Sequence, residues 1–415
     1  LIRAIKGTRD ILPPSSAVWN YVEEVARQVF RIYNYQEIRT PIFEETQLFA
    51  RGVGEETDIV TKEMYTFEDR DGTSLTLRPE NTASVIRAYI EHRLDQQPGL
   101  QKLYYLGPMF RRERPQKGRY RQFYQIGAEV IGSDAPAIDA EVVELVVEIL
   151  RRCGLEGFEV YLNSVGCPRC RPVFVERLRS ELATAKASLC EDCRRRAETN
   201  PLRVLDCKVA EDQPVIERLP SILEHLCAEC REHFEMVRLL LGDRGITHTV
   251  RPRLVRGLDY YMRTTFEVVH GALGAQNSVL GGGRYDGLAE QLGSKIHSPG
   301  IGFSIGEDRL VMSLEESLPG AYRHELELYI APLGEAALRH SAQLAYELRR
   351  RGAVVELGPN AKLKRTMETA NKLGARYTLI VGENEMSAGQ YALKDMASGE
   401  QSTVTRQALL ERFPL

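Results

Sequence analysis

The densest run of reactive side chains is Gly107-Pro-Met-Phe-Arg-Arg-Glu-Arg-Pro-Gln-Lys-Gly-Arg-Tyr-Arg-Gln-Phe-Tyr-Gln125. Between positions 102 and 121, seven lysines and arginines stand against one acid, Glu113. Guanidinium forks match phosphate oxygens in paired geometry. A charge run is more often a solvated hairpin, but Phe110, Tyr120, Phe123 and Tyr124 interleave with this one. That mixture favours a planar base stacking beside an anion.

Four further segments carry chemistry. Val255-Arg-Gly-Leu-Asp-Tyr-Tyr261 can place a cation and a phenol in one polar pocket, although paired tyrosines in a strand are usually half-buried packing. Gly281-Gly-Gly-Arg-Tyr-Asp-Gly287 reads equally as a tight hairpin or a ligand loop, its glycines tolerating backbone angles other residues avoid. In Gly300-Ile-Gly-Phe-Ser-Ile-Gly306, Gly300 and Gly302 share one strand face and leave it bare for a flat ligand. Leu77-Arg-Pro-Glu-Asn-Thr82 sets Glu80 and Thr82 on one side of an extended segment, as an ammonium acceptor or as the cap of a helix starting near Thr82. Neither Gly-x-Gly-x-x-Gly nor Gly-x4-Gly-Lys-Ser/Thr occurs, so any ATP site must rest on arginines and a glycine-bared strand.

Six of eight cysteines form Cys-x-x-Cys pairs: Cys167/Cys170, Cys190/Cys193 and Cys227/Cys230. Cys167-Pro-Arg-Cys170 looks like a zinc knuckle, with Cys190 following at usual zinc-site spacing, so Cys167, Cys170, Cys190 and Cys193 are the structural zinc candidates. The preferred reading is reduced thiols in an insertion that folds without metal.

The elements that must position these groups follow from periodicity. Pro13-Pro-Ser-Ser16 caps a helix with apolar residues at Val18, Val22, Val25, Val29 and Ile32. Strands are expected at 75–78, 103–110 and 122–130, the last two flanking the basic hairpin, then a helix over 136–151 and a strand over 158–163. A charged helical stretch runs to about 245, and from 254 the chain returns to strands up to a helix at 306–318. That return predicts one domain over 1–320, interrupted by an insertion at about 165–245. Residues 326–415 read β-α-β-α-β, a separate α/β domain with parallel neighbours, joined through Pro319-Gly320.

Over 415 residues the net charge is −3, with 27% charged and 43% apolar residues. These values exclude a disordered tail, a fibrous rod and a membrane bundle, and they require any nucleic acid to be held by a local basic patch. The amino end shows no signal-peptide core, so a cytoplasmic location and no membrane partner are expected.

Taken in order from Lys6-Gly-Thr-Arg-Asp-Ile-Leu-Pro13 to the last domain, these segments resemble the histidyl-tRNA synthetase family of class II aminoacyl-tRNA synthetases. Arg256-Gly-Leu-Asp-Tyr-Tyr261 and Gly282-Gly-Arg-Tyr-Asp-Gly287 are the histidine-specific signatures. The resemblance implies an α+β fold: a mostly antiparallel sheet flanked by helices, a helical insertion and a C-terminal α/β anticodon-binding domain. It implies a homodimer, formed through the first long helix and the strand around Pro41, that uses L-histidine, ATP with Mg2+ and tRNA(His). By the same correspondence Arg111 and Arg256 are catalytic, at the α-phosphate and the histidine carboxylate. Glu80, Asn81, Thr82, Gln125, Glu129, Tyr260, Tyr261 and Tyr285 line the histidine pocket, with Glu129 and Tyr261 taking the two ring nitrogens. Glu113, Arg119, Phe123 and Arg309 join Arg111 in binding ATP, and Arg114, Gln116 and Lys117 face the tRNA acceptor end. Asp308 stands where the family usually has glutamate, and family variation in the cysteine insertion leaves zinc without support from the resemblance. The rival readings are a histidine-binding regulatory paralogue without charging activity and a threonyl or prolyl class II enzyme.

Overall fold

The first long helix forms because its apolar residues recur every three or four positions. In the computed structural model, which describes residues 2–55, 57–318 and 326–412 (without the side chains of 274–276), it spans Ser15–Ile32 and buries Val18, Trp19, Val22, Val25, Ala26, Val29 and Phe30. Ile32, expected on that stripe, is instead 55% exposed, and no side chain caps the helix start. Pro319 and Gly320, expected as the linker, lie outside the described residues.

The chain forms two units, Leu1–Tyr322 and Arg323–Leu415. In the larger, the strands in chain order are β1 (Gln36–Glu37), β2 (Phe43–Glu45), β3 (Tyr65–Glu68), β4 (Ser74–Leu77), β5 (Gln101–Phe110), β6 (Gln122–Ile131), β7 (Glu159–Ser164), β8 (Thr249–Val250), β9 (Met262–Val269), β10 (Ser278–Arg284) and β11 (Gly300–Gly306). Eight build one sheet in the order β1-β5-β6-β11-β10-β9-β7-β8, while β2-β4-β3 form a small separate sheet. The central six strands, β5 to β7 across the sheet, pair antiparallel throughout, and only the short edge strands β1 and β8 pair parallel. Each functional segment of the sequence therefore lands on or beside one continuous surface.

One sheet face packs on the first helix and on the helix Pro136–Arg152, whose Val142, Val143, Leu145, Val146, Val147, Ile149 and Leu150 are all buried. Asp139 in its first turn is also buried, beneath Arg284 and His233. Such a desolvated charge is tolerated because it is paired on every side. Between β7 and β8 lie the helices Arg171–Ala185, Glu191–Thr199, Gln213–Ile216 and Ala228–Asp243. The first two bury Phe174, Leu178, Leu182 and Cys193 in a second cluster that also takes in Val85, Tyr105, Tyr261 and Tyr285, whereas the last helix sinks Phe234, Val237 and Leu241 into the main core.

The smaller unit has β12 (Leu328–Pro332), β13 (Val355–Leu357) and β14 (Tyr377–Val381) in parallel pairing, with helices Glu335–Arg349 and Leu363–Lys372 between them. Beyond the β-α-β-α-β pattern, β15 (Gln390–Asp395) and β16 (Gln401–Thr405) extend the same sheet in antiparallel pairing. The polar residues of the strands themselves, Gln390, Lys394 and Asp395 in β15 and Gln401, Ser402 and Thr403 in β16, hid them from a reading based on apolar runs.

Candidate active site

The long β5/β6 hairpin holds its register from Gln101↔Ile131 to Phe110↔Gln122, which carries Arg111, Phe123 and Gln125 to one side of the sheet. Arg256 and the tyrosine pair arrive from the segment leading into β9, and Tyr285 follows β10. These groups line a cavity of about 440 Å³, together with Glu80, Thr82, Glu113, Arg119 and Arg309. That volume suits a small-molecule site.

Two kinds of wall meet there. The phenolic wall holds Tyr260 against Tyr261 (ring centroids 4.7 Å apart) and edge-on to Tyr285 (5.8 Å). The charged wall is pre-aimed by hydrogen bonds. Arg111 donates from Nε to the Pro79 carbonyl (2.9 Å) and lies over the Phe123 ring at 5.2 Å. Arg256 pairs with Glu267 at 3.0 Å. Burial works against its charge, but Glu267 and the neighbouring tyrosines hold its pKa above the ordinary arginine value. Arg119 pairs with Glu113 at 2.8 Å, and Arg309 donates to the carbonyls of Gly118 (3.2 Å) and Ser278 (2.7 Å). Burial and the charge of Arg119 push the Arg309 pKa down. Gln125 Oε1 is buried with no partner among the described residues.

Several expectations need correction. Asn81 is buried outside the cavity wall, accepting from Thr40 Oγ1 at 2.7 Å, because the turn into the helix at Thr82 points it toward Arg78. Glu80 lines the cavity, and its carboxylate also caps the helix, accepting the backbone N–H groups of Thr82 (2.7 Å) and Ala83 (3.0 Å). Glu129 lies beneath the wall rather than on it, 1% exposed. It accepts from Tyr285 Oη (2.6 Å), Thr82 Oγ1 (2.8 Å) and Tyr105 Oη (3.5 Å). Burial raises its pKa to about 8 against those hydrogen bonds. Gly300 and Gly302 do not leave a bare face: a Cβ on Gly300 would overlap Tyr285, and one on Gly302 would overlap Glu129. The protein's own side chains occupy the space the glycines clear.

Arg114, Gln116 and Lys117 are exposed at the hairpin tip, away from the cavity lining. Asp308 is engaged on both oxygens, by Arg9 (2.8 Å) and by the Tyr124 N–H (2.8 Å), which spends it on anchoring the amino-terminal segment to the hairpin. The four zinc candidates do not converge. Cys167 and Cys170 gather with Cys227 and Cys230, while Cys190 and Cys193 gather with Cys207 and Asp212. The helices carry the two pairs to different neighbours, which spacing along the chain cannot reveal.

Sequence reasoning missed Tyr105, Glu267, Asp206 and Lys208, all of which line the cavity. One of these had a signal in the sequence. Tyr105 had none, since its place directly across from Gly127, where any Cβ would overlap its ring, is set by strand pairing. Glu267 is a lone acid inside the apolar run Phe266-Glu-Val-Val269.

Comparison with known proteins adds an independent line. A family model described as histidyl-tRNA synthetase matches residues 7–310, and one described as an anticodon binding domain matches 327–414. The chain is 72% identical over 413 residues to a histidine–tRNA ligase of Solibacter usitatus (strain Ellin6076), covering 100% of this chain and 99% of that one. It is 57% identical over 422 residues to that of Koribacter versatilis (strain Ellin345), covering 99% and 95%. Among solved structures, apo S. aureus histidyl-tRNA synthetase superposes with a TM-score of 0.82 at 38% identity, covering 100% of both chains. Sequence signatures, sheet topology and whole-length likeness agree: this chain belongs to the histidyl-tRNA synthetase family.

Proposed function

We propose that the protein ligates L-histidine to tRNA(His) through a histidyl-adenylate. The observation that carries this reading is the meeting of Arg111, Arg256 and a phenolic wall in one cavity. In the first step a histidine carboxylate oxygen attacks the α-phosphorus of ATP, which arrives as its magnesium complex. The bond to the bridging oxygen breaks, and pyrophosphate leaves. Two anions must approach while charge builds on the non-bridging oxygens. Guanidinium groups already aimed at that point lower the barrier without reorganising. In the second step a terminal ribose hydroxyl of tRNA attacks the acyl carbon, and AMP departs.

Phe123 offers the stacking face for adenine and Glu113 an acceptor for its amino group, with Arg119 and Arg309 supplying charge to the outer phosphates. The unpartnered Gln125 oxygen and the Glu80 carboxylate suit the histidine ammonium. Tyr261 faces one ring nitrogen. Glu129 acts from the floor, where it receives the hydroxyls of Thr82 and Tyr285 and fixes which way they point. A pocket with polar partners for both ring nitrogens leaves its own groups unpaired with a wrong amino acid, which discriminates better than shape.

The exposed hairpin residues Arg114, Gln116 and Lys117 are suited to the acceptor end, and the smaller unit to the anticodon. A second copy would cover Ile32, Ile42 and Phe43, apolar side chains left 55%, 43% and 52% exposed on the first helix and around Pro41. No helix among the described residues is long and apolar enough to cross a membrane, and we place the enzyme in the cytoplasm.

Histidine-dependent ATP–pyrophosphate exchange followed by tRNA charging tests the proposal. Exchange with histidine alone, then charging, is expected. Histidine binding without exchange would mean a regulator, and exchange driven by threonine or proline would mean a sibling enzyme.

A further inference from the structure

Outside the cavity, the most ordered group of reactive side chains is the cluster of Cys167, Cys170, Cys227 and Cys230. We infer that these four thiolates hold one structural zinc ion, which closes the neck of the helical insertion. Zinc–thiolate bonds of about 2.3 Å place the corners of a regular tetrahedron about 3.8 Å apart. The sulfurs of Cys167 and Cys170 are 3.7 Å apart, Cys167 and Cys227 3.8 Å, and Cys170 and Cys230 3.9 Å. All four lie within 4.8 Å of one another. Disulfides need about 2.05 Å, so these distances are far too long for bonded pairs and right for a shared ion.

The surroundings are built for that task. Gly166 takes a left-handed φ of 68°, and a Cβ there would come within 2.9 Å of Cys170 Sγ. The Cys167 N–H points at Cys170 Sγ (3.2 Å), the kind of backbone donor that steadies a thiolate. The second pair sits at the start of the helix Ala228–Asp243, whose N-cap is Cys227. Four thiolates around a divalent ion leave an excess of two negative charges. Arg171, just after the first Cys-x-x-Cys, supplies positive charge beside it, while Arg169, inside that pair, is ion-paired with Glu229.

The two pairs come from opposite ends of the insertion: one directly after β7, the other at the head of its last helix. A metal there closes a long loop that packing and the exposed Arg169–Glu229 ion pair would otherwise hold. It also reaches the active site through backbone. Arg171 donates to the carbonyls of Val165 (3.0 Å) and Tyr261. The Arg263 N–H donates to Gly166 O and the Val165 N–H to Arg263 O, both at 2.8 Å, so the knuckle braces the start of β9, directly after the tyrosine pair.

The other group, Cys190, Cys193, Cys207 and Asp212, is the internal control. Its carboxylate is already spent, accepting from the Cys190 N–H at 2.8 Å and from Cys207 Sγ at 3.2 Å. The test is zinc content by mass spectrometry of the full-length protein, washed with chelator, for wild type, C167S/C227S and C190S/C193S. About one zinc per chain that survives in C190S/C193S and is lost in C167S/C227S is expected. X-ray absorption at the zinc edge of C190S/C193S should show four sulfurs at about 2.3 Å, a readout that stands even if C167S/C227S fails to fold. Wild type with under about 0.2 zinc per chain, zinc retained in C167S/C227S, or a mixed sulfur–oxygen shell in C190S/C193S overturns the assignment.

Discussion

Replacing Glu129 by glutamine should make the larger unit more stable at alkaline pH while weakening histidine binding. An ordinary glutamate carboxyl loses its proton near 4.5, whereas burial holds that of Glu129 to about 8. Between those values the unfolded chain is ionised at this position and the folded chain is not. The unfolded state therefore binds fewer protons, and folding stability falls as pH rises through the window. At about 1.4 kcal/mol per pH unit, the loss reaches about 3.4 kcal/mol by pH 7 and about 5 kcal/mol above pH 8. Glutamine never ionises and so escapes this loss. Its amide must face a hydroxyl where Glu129 presents an oxygen to Tyr285 or Thr82, at a cost of about 1 kcal/mol. The two proteins should be of similar stability at pH 5, with E129Q ahead by roughly 3–4 kcal/mol at pH 8.5. Calorimetric melting of both across pH 5–9 reads the difference directly, since the other buried carboxyls are common to both and cancel. The Michaelis constant for histidine should rise in the same variant, because the Tyr285 and Thr82 hydroxyls bond to different carboxylate oxygens and one of them loses its acceptor. A melting difference that stays constant over the whole pH range would refute the reasoning.

Arg256→Ala should slow histidine-dependent pyrophosphate exchange by about 10²–10³, roughly 3–4 kcal/mol of transition-state stabilisation, and a loss under tenfold would remove Arg256 from the chemistry. Gly281→Ala should copy part of that defect with the guanidinium intact, because the added Cβ would overlap the Arg256 side chain and push it off its aim. Arg114→Ala combined with Lys117→Ala should leave exchange unchanged and raise the Michaelis constant for tRNA, with a weaker salt dependence of charging; equal effects on both steps would place these residues in activation instead. Asp139→Ala should cost about 3–5 kcal/mol in melting experiments, because Arg284, fully buried, is left with Asp286 as its only carboxylate among the described residues.

Local periodicity was readable from the chain, and long-range neighbours were not. The stripe through Val18, Val22, Val25 and Val29 announces the first helix because helical geometry repeats within a few residues. The basic hairpin is equally legible, since its strands and loop are contiguous. The partners of a side chain on another strand leave no such trace. Asn81 and Thr82 are adjacent, yet one turns to Thr40 and the other to Glu129, a choice made by the helix that begins between them. Whether Glu129 faces ligand or lies under the wall depends on Tyr105 and Tyr285, which stand 24 and 156 residues away. The cysteines show the same limit: sequence order suggests joining the first pair to the second, while the fold joins it to the third, 60 residues on.

The glycines of the sheet connect these observations. Gly127 makes room for Tyr105, Gly281 for Arg256, Gly282 for Phe266, Gly300 for Tyr285 and Gly302 for Glu129; at each, a Cβ would collide with that particular side chain. An antiparallel sheet normally fills one face with β-branched and aromatic residues of similar height. Here large polar groups must lie flat on the backbone to leave a cavity above them, and each needs a neighbour without a side chain. The glycine-rich runs in β10 and β11 are therefore less a landing strip for substrate than recesses for the protein's own guanidinium, phenol and carboxylate groups. Recessed in this way, those groups meet the backbone across an entire edge and lose rotational freedom before any ligand arrives, which is the preorganisation that electrostatic catalysis requires.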